Sequence, residues 1–235
     1  MNILTGVGIL LLSMLIAAFS QLKHGVFLLF LHYTSGKFKK DKVSILSLFY
    51  ILGVEIVIAI IFTTIYYMLD SLFAVIPASG QTLFEWIIAG ILIGLGFIFP
   101  FCYFKKGPGT KLFISRNLAS QFSLKAKNIK TRSDAFVLGI VSSLPELILI
   151  IPLIMISIIS ITKLDGTPLS RAAIILAFIL LNVVPLFIIQ TLFYHHYNLA
   201  DLERKREKSK NFIRFLISFS YISIAILIIA GGVLN

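Results

Sequence analysis

Apolar residues in this chain come in long runs, separated by short polar and mostly basic stretches. Neither strict alternation nor a one-sided helical stripe describes the pattern, so neither a half-buried strand nor a surface helix fits it. A helix needs ~20 mostly apolar residues to cross the hydrocarbon of a bilayer. Six runs qualify: 3–33, 43–69, 82–103, 133–162, 168–197 and 212–234. The first, fourth and fifth approach 30 residues and would rise ~45 Å against a core of ~30 Å. They are expected to tilt, kink or break. Turn residues punctuate the gaps: Ser35-Gly36, Pro77 with Gly80, Gly107-Pro108-Gly109 and Asp165-Gly166. Pro168 suits the first turn of a helix, and Thr131 with Asp134 fits a capping box opening the fourth run. The expected fold class is all-α, a polytopic membrane protein of six transmembrane helices.

Composition strengthens this reading. The 235 residues are 58% hydrophobic and 13% charged. Soluble domains are roughly half apolar and a quarter charged, so the solvent for much of this chain is expected to be lipid. The first run has no basic leader, so it is expected to stay in the mature protein rather than be cleaved as a signal peptide. Cys102 is the single cysteine, which excludes a disulfide framework within the chain.

The net charge of +11 would suggest nucleic acid, but its placement says otherwise. Eighteen of the 21 Lys and Arg residues fall in 36–42, 105–132 and 198–214. Those segments lie two spans apart, hence on one side. The positive-inside rule makes that side cytoplasmic, in a cell membrane, with both termini outside if there are six spans. A first run broken into two separate helices near Lys23-His24 would instead bring the N-terminus inside. The 105–132 segment mixes bases with Leu112, Phe113, Ile114, Leu118 and Phe122. It reads either as an amphipathic helix on anionic headgroups or as a plain linker.

Two halves echo each other across that segment: 1–104 and 133–235, with 105–132 as a basic cytoplasmic linker. Ala18-Phe19 precedes a polar break at 20–25 and then an apolar run. Ala135-Phe136 precedes a polar break at 142–146 and then another. Residues 51–67 align with 179–195, placing Thr63 against Thr191 and Tyr66 against Tyr194. Each half holds three spans, an odd number, so the second is expected to be inserted upside down. Such 3+3 inverted-repeat bundles recur among transporters. With the stretch Ser142-Ser143-Leu144-Pro145-Glu146-Leu147 followed by Pro152, the chain resembles the lysine-exporter (LysE) superfamily. That group includes amino-acid and metal-cation exporters and thiol-electron carriers of the CcdA/DsbD type. The resemblance implies a small membrane exporter. It does not extend to thiol relay. Where the electron carriers place a cysteine in each half, this chain has Glu146 and the Lys23-His24-Gly25 tract, and Cys102 lies near the cytoplasmic end of the third span.

Ionisable groups at mid-bilayer cost at least ~2.5–3.5 kcal/mol each and by default mark function. Glu146 lies centrally in the fourth run behind Pro145, whose ring removes a backbone donor and opens the helix. Ser142 and Ser143 add hydroxyls one turn away. Glu55 is central in the second run. Asn182, followed by Pro185 and Gln190, is central in the fifth; such amides serve either a site or helix–helix hydrogen bonding. Lys23 is a candidate counter-charge for Glu55 or Glu146, and His24 a candidate proton relay. The bland alternative is a surface break between short helices. Gly90, Gly94 and Gly96 are expected to mark close helix packing, Tyr66, Tyr67, Trp86, Tyr194 and Tyr197 interfacial belts, and Ser218, Tyr221 and Ser223 a bundle-facing stripe. His195-His196 point to different helix faces, which disfavours a metal pair.

Hydrolase, zinc-protease and nucleotide-binding signatures are absent from the sequence. The expectation is therefore not an enzyme and needs no cofactor or metal. It is a secondary transporter or exporter of a small solute or cation, with the bilayer as its partner and a homodimer compatible with the design. A non-transporting scaffold or accessory subunit is the alternative.

Overall fold

The computed structural model describes residues 3–19, 21–102, 116–164, 167–195 and 199–233. These form helices without strands: α1 (Ile3–Ala18), α2 (Gln21–Ser35), α3 (Lys40–Val75), α4 (Ala78–Cys102), α5 (Arg116–Lys127), α6 (Arg132–Ser143), α7 (Leu147–Lys163), α8 (Pro168–Tyr194) and α9 (Leu199–Val233). Six stretches are long and apolar enough to cross a membrane, with α1–α2 and α6–α7 each counting as one. That is the pattern of a multi-pass membrane protein.

Two of the three long runs break. The first does so between α1 and α2. The fourth passes through a 3₁₀ turn, Leu144–Glu146, with Pro145 in it. The fifth stays continuous through Pro185. The longest element is α3, whose 36 residues rise about 54 Å without a break. It outruns the apolar window at both ends.

The punctuation is largely as expected. The Thr131 hydroxyl accepts from the Asp134 amide at 3.2 Å, and the Asp134 carboxylate accepts from the Thr131 amide at 2.9 Å, closing the capping box. Thr167 caps α8, with Pro168 in its first turn. Gly80 differs: it lies inside the first turn of α4, its amide donating to the Pro77 carbonyl at 2.9 Å. The turns at 107–109 and 165–166, with Tyr103, Leu112, Phe113, Ile114, His196 and Tyr197, lie outside the described residues. The described part of the basic segment is α5. It packs on α2 and buries Phe122 and Ala126, so its apolar face meets protein.

Small residues set one very close helix contact. A Cβ on Gly139 of α6 would collide with the Tyr50 carbonyl of α3, and one on Gly53 of α3 would collide with the Phe136 carbonyl of α6. The two backbones touch. The glycines expected to do this behave differently. Gly96 packs against Ile222 and the Ser218 carbonyl of α9, but Gly90 and Gly94 face open space. Their helix presents them outward.

The apolar interior divides into two clusters stacked along the bundle. One gathers α1, the later half of α3, α4, α7 and α9 around Ile58, Phe62, Leu153 and Tyr221. The other gathers α2, the early half of α3, α5, α6 and the later part of α8 around Phe30, Tyr50, Val54 and Leu138. Since α1 belongs to the first cluster and α2 to the second, the broken first run traverses the bundle from one cluster to the other.

Candidate functional site

Four of the six long stretches change clusters at a particular place, and a polar residue stands there, while α4 and α9 stay with the first cluster. On the first run the change falls between Ala17 and Val26, bracketing Lys23. On α3 it falls between Val54 and Ile58, bracketing Glu55. On the fourth run it falls between Leu138 and Leu149, bracketing Ser142 and Glu146. On α8 it falls between Phe178 and Val183, bracketing Asn182. A polar layer therefore crosses the bundle between two apolar halves.

The broken first run supplies the layer's framework. A helix that stops leaves its last carbonyls without intrahelical donors, and one that starts leaves its first amides without acceptors. The last turn of α1 offers the Ala17 carbonyl. The Lys23 ammonium donates to it at 3.0 Å. The first turn of α2 offers the Lys23 amide, which donates to Glu146 Oε1 at 2.9 Å. A cation thus sits at a helix C-terminus and an anion at a helix N-terminus, the signs each end of the dipole favours. Lys23 is 1% exposed and Glu146 2%. Buried charges are tolerated when paired and hydrogen-bonded.

Asn182 completes the Lys23 shell, its carbonyl accepting from Nζ at 2.9 Å and its Oδ1 at 2.6 Å. Pro185 follows three residues later, and its missing amide leaves the Leu181 carbonyl, next to Asn182, without its usual donor. Tyr50 ties the two breaks together: its hydroxyl donates to the Lys23 carbonyl at 2.9 Å and lies 2.8 Å from Ser142 Oγ. Phe27 and Phe30 stack on its ring, with centroids 5.0 and 5.6 Å away.

Glu55 is half-buried. It stands on α3 where that helix passes from one apolar cluster to the other. Among the described residues, Glu55 Oε2 and Asn182 Nδ2 are buried without a hydrogen-bond partner. Buried polar atoms normally have one, so the layer holds spare hydrogen-bonding capacity.

Not every expected residue joins. The Ser143 hydroxyl turns back to the Gly139 carbonyl of its own helix at 2.7 Å. Gln190 lies further along α8 and donates to the Ser44 carbonyl and hydroxyl of α3 at 3.2 Å, a helix–helix tie away from the layer. His24 is buried and lines an apolar pocket of about 740 Å³ between α1, α2, α8 and α9. Tyr221 and Ser218 face inward, donating to the Leu149 and Gly96 carbonyls. Tyr67, Trp86 and Tyr194 are exposed on the bundle's flank, where belt residues belong.

Two polar residues escaped the sequence reading. Tyr50 was hidden in an apolar run; a phenol one turn before Glu55 was the available signal, because buried tyrosines usually find partners. Glu85 of α4 forms an ion pair with Lys163 of α7. A second pocket, about 630 Å³, lies between α3 and α8 beside Tyr66, Asp70 and Arg171. Among the described residues, no group of three or more His, Cys, Asp or Glu side chains is placed to hold a metal. No family model, curated protein or solved structure matches this chain.

Proposed function

We propose that this protein is a secondary transporter or exporter of a small solute or cation in the cell membrane, with its basic loops cytoplasmic. The carrying observation is the polar layer. Buried carboxylates, an ammonium, an amide and hydroxyls meet where two helices are broken, and some of their polar atoms are unsatisfied. Charged groups at this depth are costly, and broken backbone there is tolerated only beside protein or a water-filled path. Glu146 and Glu55 would alternate between binding the solute or a proton and releasing it, with the two breaks as hinges.

Helix packing supports the inverted-repeat part of the proposal. A two-fold axis in the membrane plane would exchange α1–α2 with α6–α7, α3 with α8 and α4 with α9. In keeping with that, α3 lies along α6 and α7 while α8 lies along α1 and α2. Likewise α4 meets α7 and α9 meets α2, with α3–α8 and α4–α9 contacts across the axis. Among the described residues, the packing of α1 on α9 has no equally extensive counterpart. The layout also keeps the lysine-exporter resemblance in play as the source of substrate candidates.

The test is reconstitution in liposomes with a panel of metal cations, organic cations and amino acids, read by a pH dye and by solute uptake. Glu146→Gln keeps an acceptor for the Lys23 amide and removes the charge. It is expected to cut flux by an order of magnitude or more while the protein stays folded. Glu55→Gln is expected to uncouple flux from protons. Undiminished, proton-independent flux in both variants would sink the carboxylate mechanism.

One observation favours the alternative of a scaffold or accessory subunit: the open face of α4 at Gly90 and Gly94. A stoichiometric partner on purification, together with no flux, would select that reading.

A further inference from the structure

The Lys23 ammonium occupies a shell of three oxygens: two main-chain carbonyls, Ala17 and Asn182, and the Asn182 side-chain carbonyl, at 2.6–3.0 Å. One carbonyl comes from the last turn of a terminated helix, and the other from Asn182 inside the continuous α8. Carbonyl oxygens that replace a hydration shell are how proteins hold dehydrated monovalent cations. The spacing exceeds the roughly 2.0–2.1 Å of magnesium and the roughly 2.3–2.6 Å of calcium coordination. It suits an ion of potassium or ammonium size. The Glu146 carboxylate stands beside the shell, on the Lys23 amide, without entering it.

We propose that this shell is a monovalent-cation site whose occupant is covalently tethered: Lys23 Nζ stands where a free potassium- or ammonium-class ion would otherwise bind. Lys23 then serves as a built-in cation that frees the broken first run from dependence on a salt. The tether also explains why such a costly residue is buried so completely. An ion pair alone would be served by a shorter reach to a carboxylate. Here the ammonium is spent on three neutral oxygens, and it is the Lys23 amide that Glu146 takes.

This inference shares the residues of the transport proposal but not its outcome, since its readout is stability in detergent and requires no flux. Thermal unfolding is followed in Lys23→Ala and Lys23→Ser, two truncations with different packing faults. Potassium, ammonium and methylammonium chlorides are each compared with choline chloride at equal ionic strength. The wild type is expected to be indifferent to the exchange. Both truncations are expected to melt lower in choline and to regain several degrees in potassium or ammonium, saturably. Lys23→Met, which fills the channel with an uncharged stem, is expected not to respond. Asn182→Ala added to Lys23→Ala is expected to weaken the response at least several-fold by removing one ligand. The proposal is overturned if the truncations melt alike in choline and potassium, if Lys23→Met responds equally, or if neither truncation folds even in saturating potassium.

Discussion

Tyr50 carries a share of the site that its apolar surroundings conceal. Its hydroxyl bridges the Lys23 carbonyl of one broken helix and Ser142 of the other. Phenylalanine would keep the ring stack on Phe27 and Phe30 and lose both contacts. Such hydrogen bonds are worth ~1 kcal/mol net, more where a partner is left unsatisfied. Losing two such bonds, about 2 kcal/mol, Tyr50→Phe is expected to lower the melting temperature by about 4–8 °C, at about 2–4 °C per kcal/mol for a chain of this size. It should reduce flux more than that loss of stability explains. A Tyr50→Phe protein with unaltered melting and flux would show that the two breaks are not coupled through the phenol. Residue-level reading of the sequence found Lys23, Ser142, Glu146 and Asn182, because polar groups in apolar runs are conspicuous. It did not find which of them touch. It placed Gln190 and Ser143 with the site because depth along a helix is legible from sequence, whereas the direction of a side chain is not.

The elements teach a different lesson. The α3–α6 contact depends on Gly53 and Gly139 meeting opposing backbone, and backbone cannot swing aside as a side chain can. Gly139→Ala or Gly53→Ala is expected to destabilise the fold by ~1–3 kcal/mol through overpacking. Gly90→Ala on the open face of α4 is expected to be neutral within ~0.5 kcal/mol, or slightly favourable from helix propensity. Paired melting curves in detergent check this, and equal effects at Gly139 and Gly90 would contradict the assignment. Spacing alone pointed to Gly90 and Gly94, since a four-residue repeat of glycine looks the same whether it faces a helix or lipid. The breaks were more legible. Pro145 named the break in the fourth run, whereas the first run gives way just before the Lys23-His24-Gly25 tract expected to break, which lies inside α2. The unbroken 36 residues of α3 were not foreseen, because its polar ends, Lys40–Lys42 and Asp70–Ser71, carry no hydrophobic signal.

At the scale of the molecule, four of six long apolar stretches carry a polar layer that separates two apolar clusters. Span count was legible from hydropathy. The two-cluster partition was not, since it depends on which helix faces meet. The proposed orientation rests on the placement of charge and is open to direct test. Single cysteines placed at Lys39 and at Ser79, in a Cys102→Ser background, are expected to react with a membrane-impermeant thiol reagent from opposite sides. Position 39 should label only from the cytoplasm. The reverse pattern, or both on one side, would overturn the topology.

On the transport proposal, the layer at Lys23, Glu146, Asn182 and Ser142 is reached alternately from the two sides of the membrane. The most direct measurement needs no knowledge of the substrate. A Ser142→Cys variant in the Cys102→Ser background is probed with an impermeant thiol reagent, first in right-side-out and then in inside-out vesicles. The account predicts labelling from both sides, with a cation or pH gradient shifting the balance between them. A cysteine at 142 that reacts from neither side, or from one side alone under every gradient, would show that nothing passes through the layer.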